Sequence, residues 1–97
     1  MLFEWDASKA RINSRKHGLS FEEAVSVFRD PLALTFPDPY HSDKEEREIT
    51  IGHTDRRAIV FVSHCPRGDR IRIISARRAT KGERRQYEEG IEKEDRG

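Results

Sequence analysis

The 97 residues contain one cysteine, one methionine, one tryptophan and four prolines, and no long apolar run. A lone Cys65 cannot close an internal disulfide, so packing must hold the fold by itself. No stretch approaches the roughly 18 apolar residues of a membrane-spanning helix. The opening MLFEWDASK carries acids and lacks the apolar segment of a secretory signal, so a cytosolic protein is expected. Internal repeats and low-complexity tracts are missing as well. A single domain over residues 1–90 is expected, with residues 91–97 (IEKEDRG) as a frayed, flexible tail.

Charge is plentiful. Charged residues make up 38% of the chain and hydrophobic ones 34%, which leaves a thin core and a surface that a partner is expected to cover in part. The net charge of +1 conceals a segregation: residues 67–85 carry eight Lys or Arg against two acids, net +6, whereas residues 38–48 sum to −3. A basic stripe opposite an acidic one points to a polyanionic ligand and to a charged protein partner.

The element order reads β-α-α-β-β-β-β-α. Residues 2–5 form a short strand, Asp6 caps a basic helix, and Gly18 stops it just after His17. Ser20 and Glu23 make a capping box before Phe21, Ala24, Val25 and Phe28, which share one helical face; Asp30-Pro31 ends that helix. Strands follow near residues 32–36, 46–53, 57–65 and 70–77, joined by turns at Asp55-Arg56 and at Pro66 to Asp69. Thr80 and Glu83 form a second capping box and open a last helix running to about Gly90. An α+β domain follows, an antiparallel twisted sheet with two N-terminal helices on one face, a short C-terminal helix, and the other face free for a ligand.

The stretch RIRIISARRAT, residues 70–80, carries the sharpest functional signal. Strict alternation puts Ile71, Ile73, Ser75 and Arg77 on one face and Arg72, Ile74, Ala76 and Arg78 on the other, unless a bulge intervenes. Two arginines beside the free N–H groups of a capped helix make a phosphate site, which Arg grips through paired hydrogen bonds. Strand-end arginines that merely meet solvent or the acidic stretch are the plain alternative. Arg72, Lys81 and Arg84 extend the basic surface offered to a phosphate-bearing polyanion.

A second cluster, His41 to Arg47, brings an imidazole, carboxylates and a guanidinium together, the groups needed to move a proton and steady charge; a hydrated charged loop is its simpler reading. Glu46 and Arg47 point to opposite faces, so at most one shares a site with Arg77. Lys16 and His17 close the first helix, where the macrodipole alone justifies them. Tyr87 either anchors the last helix or offers its hydroxyl to the site. The four histidines match no ligand spacing, so no metal and no cofactor are expected.

The segments FEWDASKARINSRKHGLSFEEAVSVFRDP, HSDKEEREITIG and IRIISARRATKGERRQYEEG, in that order and spacing, closely resemble the BrnT family of bacterial type II toxins. The resemblance implies a RelE-like fold and a ribonuclease that arrests translation by cutting RNA. It further implies a BrnA-type antitoxin with a ribbon-helix-helix region, through which the complex represses its own operon; operator DNA is met only through the antitoxin. A dimer or a toxin–antitoxin heterotetramer would fit such a system. The matching residues are Lys16, His17 and Gly18, then Glu46 and Arg47, then Ser75, Arg77, Thr80, Glu83, Arg84 and Tyr87.

The family's fold does not assign their roles. Metal-independent cleavage by the ribose 2′-OH needs a phosphate clamp, for which Arg77 is first choice with Arg47 and Arg78 next. It needs a base, Glu46 or His41, and an acid, His17, Lys16 or Tyr87. A non-catalytic RNA-binding module and a pure interaction protein are the rival readings.

Overall fold

The computed structural model describes residues 1–40 and 46–96, with side chains to residue 90. Its elements are β1 (Leu2–Glu4), α1 (Ala7–His17), α2 (Phe21–Ala24) running into a 3₁₀ segment (Val25–Arg29), β2 (Leu34–Pro37), β3 (Glu48–His53), β4 (Ile59–Arg67), β5 (Arg70–Arg78) and α3 (Lys81–Arg96). The α+β class and the element order are those expected.

Local chemistry sets the helix ends. The Asp6 carboxylate accepts from the Lys9 N–H at 2.9 Å, and Gly18 takes the left-handed conformation, φ 64°, that stops α1. Ser20 caps α2, accepting from the Glu23 N–H at 3.0 Å. The second helix is not uniform to Phe28 as its apolar spacing implies. The Ser26 hydroxyl donates back to the Glu23 carbonyl at 2.6 Å and accepts the Asp55 N–H at 2.9 Å, and the chain tightens into 3₁₀ geometry there.

The strands order as β1-β5-β4-β3-β2. β2 to β5 are antiparallel neighbours, but β1 joins β5 in parallel, so the sheet is mixed. From β1 at one edge, α1, α2 and the 3₁₀ segment carry the chain over β5 and β3 to the other edge, where the meander begins that returns β5 beside β1.

β5 also departs from strict alternation. Ser63 pairs with Ser75 while His64 pairs with Ile73, which leaves Ile74 as an extra residue in a bulge. Ile73 and Ala76 therefore both enter the core beneath α1 and α2, and Ser75 and Arg77 stand on the opposite face with Ser63 and Phe61. Arg77 and Arg78 still leave on opposite sides.

β1 covers only Arg70 to Arg72 of β5, so the rest of that edge needs another cover. Asn13 of α1 supplies it. Its amide donates to the Ala76 carbonyl at 2.8 Å and accepts the Ala76 N–H at 3.1 Å, the two bonds a neighbouring strand would make. Each backbone group left unpaired there would cost about 1–3 kcal/mol, so this buried side chain fixes the height of α1 against β5.

Each sheet face has its own apolar cluster. Leu19, Phe21, Ala24, Val27, Val60, Val62, Ile73 and Ala76 fill the space under the N-terminal helices. On the other face Ile49, Ile51 and Tyr87 pack with Leu34, Phe36, Ile59 and Phe61, so α3 covers part of the face expected to be free. The helix also does not end near Gly90. Gly90 lacks the positive φ of a stop and sits where a Cβ would come within 3.3 Å of Leu34, so its use is close approach to β2. The backbone stays helical to Arg96.

Candidate active site

The uncovered part of the α3 face holds a cavity of about 580 Å³. Phe36, Ile49 and Phe61 line it together with Asp38, Pro39 and Tyr40, which follow β2. Arg47, Ser63, Ser75 and Arg77 enter from β3 to β5 or just before them, and Glu83 and Gln86 descend from α3.

Arg77 is held by several contacts at once. Its guanidinium lies 4.0 Å from the ring centroid of Phe61, its cross-strand partner. Nη1 donates to Glu83 Oε1 at 2.7 Å and to the Arg78 carbonyl at 3.2 Å, and Nη2 donates to Glu83 Oε2 at 2.9 Å. Of five guanidinium donors, those bonds use three. The remaining pair, Nε–H and the outer Nη2–H, share one edge, the geometry that meets a phosphate bidentately.

Glu83 is held equally firmly. Besides Arg77 it accepts the Thr80 N–H at 2.8 Å, while its own N–H donates to Thr80 Oγ1 at 3.2 Å, a complete capping box. The hydrogen bond with Glu83, against the opposing effect of burial, raises the Arg77 pKa further. The same hydrogen bond, with Thr80 adding to it, outweighs burial at Glu83 and holds its carboxyl below the usual range. The pair is an ionised unit at any physiological pH.

A second, smaller cavity of about 220 Å³ lies at the edge of β5, lined by Lys9, Ile12, Asn13, Lys16, His17, Ile74 and Ser75. The bulge at Ile74 and the Asn13 bonds bring the end of α1 to this edge. Ser75 lines both cavities, so Lys16 and His17 approach from one side the strand segment that Arg77 and Arg47 approach from the other.

The expected site residues thus divide. Arg77 and Arg47 share the central cavity, and Lys16 and His17 share its neighbour. Glu46 is exposed just before Arg47 and does not line the cavity, and His41 lies outside the described residues. Arg78, Lys81 and Arg84 are exposed around the end of β5 and the start of α3, whereas Arg72 is taken up by Glu4 at 2.8 Å. Of the two readings of Tyr87, its contacts are those of an anchor. It is buried, its hydroxyl donates to Asp30 Oδ2 at 2.6 Å, and it is not among the cavity residues.

Reasoning from sequence alone missed the Glu83 fork on Arg77 and the aromatic walls formed by Phe36 and Phe61. The T-x-x-E motif signals a cap and gives no hint of the arginine it also holds. Pairing Phe61 with Arg77 requires a register that a bulge shifts. Among the described residues, no group of three or more His, Cys, Asp or Glu gathers as metal ligands, and no described helix is long and apolar enough to cross a membrane.

A family profile described as the ribonuclease toxin BrnT of a type II toxin–antitoxin system matches residues 5–83. Among solved structures, the crystal structure of the Brucella abortus ribonuclease toxin BrnT is similar to this chain. It is 27% identical, with a TM-score of 0.65 over 84% of this chain and 100% of that one. No significant match is found among curated protein sequences.

Proposed function

This chain belongs to the BrnT family of ribonuclease toxins of type II toxin–antitoxin systems, and we propose that it is a metal-independent endoribonuclease whose cutting of RNA in the cytoplasm arrests translation. The observation that supports this reading best is the convergence on Ser75. Two arginines stand on one side of that residue, and a lysine and a histidine stand on the other.

In the proposed reaction the ribose 2′-oxygen attacks the adjacent phosphorus. A base takes the hydroxyl proton as the P–O2′ bond forms, and the P–O5′ bond breaks as O5′ receives a proton. The products are a 2′,3′-cyclic phosphate and a free 5′-hydroxyl. The free edge of Arg77, with Arg47 nearby, meets the charge that develops on the equatorial phosphate oxygens. Lys16 or His17, across Ser75, supplies the proton to the leaving oxygen. Glu46, next to Arg47, is the candidate base among the described residues, and His41 is the other. Arg78, Lys81 and Arg84 draw the rest of the strand to the surface, while Arg72, paired with Glu4, is left out of that role. Fixed positive charge and positioning carry most of the rate in such a scheme, so a weak base suffices.

The partner we propose is a BrnA-like ribbon-helix-helix antitoxin that covers this surface and brings the toxin to operator DNA. Its assembly with the toxin is a dimer or a toxin–antitoxin heterotetramer.

The experiment is RNA cleavage by the purified chain in EDTA, beside Arg77→Ala, with circular dichroism showing both folded. Cleavage by the parent that Arg77→Ala lowers by about a hundredfold or more is the expected result. A folded parent that binds RNA but leaves it intact, both free and on ribosomes, would reduce the protein to an RNA-binding module.

A further inference from the structure

The two cavities that meet at Ser75 differ in kind. The edge cavity has Lys9, Lys16 and His17 and no carboxylate, which suits a phosphate. In the central cavity Arg47 and Arg77 are balanced by Asp38 and Glu83, and Phe36, Pro39, Tyr40, Ile49 and Phe61 make the walls. A phosphate on the free edge of Arg77 makes no use of those walls. We infer that the central cavity is a nucleobase subsite, taking one unpaired base of the RNA while the phosphate attached to it crosses β5 at Ser75 towards Lys16. The inference rests on the ribonuclease reading above and adds which part of the substrate enters the cavity.

Size and shape agree with this. About 580 Å³ falls within the range of small-molecule sites and far exceeds one phosphate. Stacking planes are already built. Arg77 lies over the Phe61 ring and is held at its Nη end by the Glu83 fork, and a guanidinium fixed in this way stacks its other face on a base as an aromatic ring does. Tyr40 is 85% exposed, so folding gives no reason for an aromatic residue there. Its N–H is nevertheless fixed by Asp38 Oδ1 at 2.9 Å. A base laid against Tyr40 would shield that ring from water.

The rim could read the base edge. Gln86 and Ser63 each offer a donor and an acceptor there. A base within an A-form duplex cannot reach such a recess without unpairing, so the substrate is a single strand or a loop.

The test uses a short single-stranded RNA methylated at every 2′-oxygen, which binds without being cut, and its duplex. Affinities are measured for the full chain, Tyr40→Ala, Phe36→Ala and Lys16→Ala over a range of salt. Tyr40→Ala and Phe36→Ala should weaken single-strand binding about five- to a hundredfold at an unchanged salt slope. Both should leave duplex binding as it was. Lys16→Ala should instead make the salt slope shallower by about 0.7. Parent-like single-strand affinity in both aromatic variants overturns the subsite, as does a loss that appears only as a changed salt slope. Tyr40→Ala removes an exposed side chain, so the test survives if Phe36→Ala misfolds.

Cleavage of the unmethylated strand by the parent is followed in parallel. Aromatic-dependent binding without cleavage keeps the subsite and sinks the ribonuclease reading. Cleavage that is indifferent to the aromatics does the reverse. A parent that neither binds nor cuts sinks both.

Discussion

Glu83 grips Arg77 end-on, with Nη1 and Nη2 donating to Oε1 and Oε2 at 2.7 and 2.9 Å, and the same carboxylate closes the cap of α3 on the Thr80 N–H. The start of the helix and the orientation of the site arginine are therefore one construction. A lysine cannot reproduce it, because an ammonium presents a point charge where the fork needs two parallel donors. Arg77→Lys should lose nearly as much cleavage as Arg77→Ala while keeping the charge, and single-turnover rates at saturating RNA would show it. Recovery of most of the activity by lysine would mean that charge alone matters at this position.

Much of this arrangement could be read from the sequence because its signals are local. Asp6, Gly18, Ser20 and Thr80 declare their helix ends through side-chain oxygens or a missing Cβ, and those ends stand where expected. What escaped depends on contacts far apart in the chain. The bulge at Ile74 arises from the fit of β5 to β4, and Asn13 reaches Ala76 across 63 residues. Gly90, a stop by its type, is instead a contact point with Leu34. Lys16 and His17 were legible as a helix end and as candidates, but their nearness to Ser75 is a product of that bulge and that asparagine.

His64 gives the fold a pH dependence. It is buried, its Nε2 lies 2.8 Å from Thr50 Oγ1, and its ring meets Phe28 edge-on at 5.0 Å. Burial pushes its pKa down to about 4. A base whose folded pKa is depressed contributes stability above its unfolded value, near 6.5, and loses it as pH falls towards 4. The whole effect is about 3 kcal/mol at most. Urea midpoints should fall between pH 7 and pH 4.5 in the parent, and much less over that range in the non-titrating His64→Gln. An equal slope in both proteins would assign the acid sensitivity to other groups, such as the paired Glu83.

Tyr87 allows a clean separation of anchoring from catalysis. Its hydroxyl donates to Asp30 at 2.6 Å and lies 3.0 Å from His53 Nδ1, while the His53 N–H donates to the same Asp30 oxygen at 2.9 Å. Burial first, and then the Asp30 carboxylate, raise the phenol pKa well above its ordinary value, which makes it a poor proton donor. Burial alone would lift the Asp30 pKa too, but the bonds from His53, Tyr87 and Leu32 outweigh it and keep the carboxylate ionised. Tyr87→Phe leaves the ring in place and deprives that carboxylate of one donor, so it should cost about 1–3 kcal/mol of stability. Cleavage per folded molecule should be unchanged, since the hydroxyl is committed to the contact that ties α3 to the turn before β2. Paired measurements of urea stability and single-turnover cleavage decide the matter. A collapse of cleavage with stability intact would return Tyr87 to the reaction.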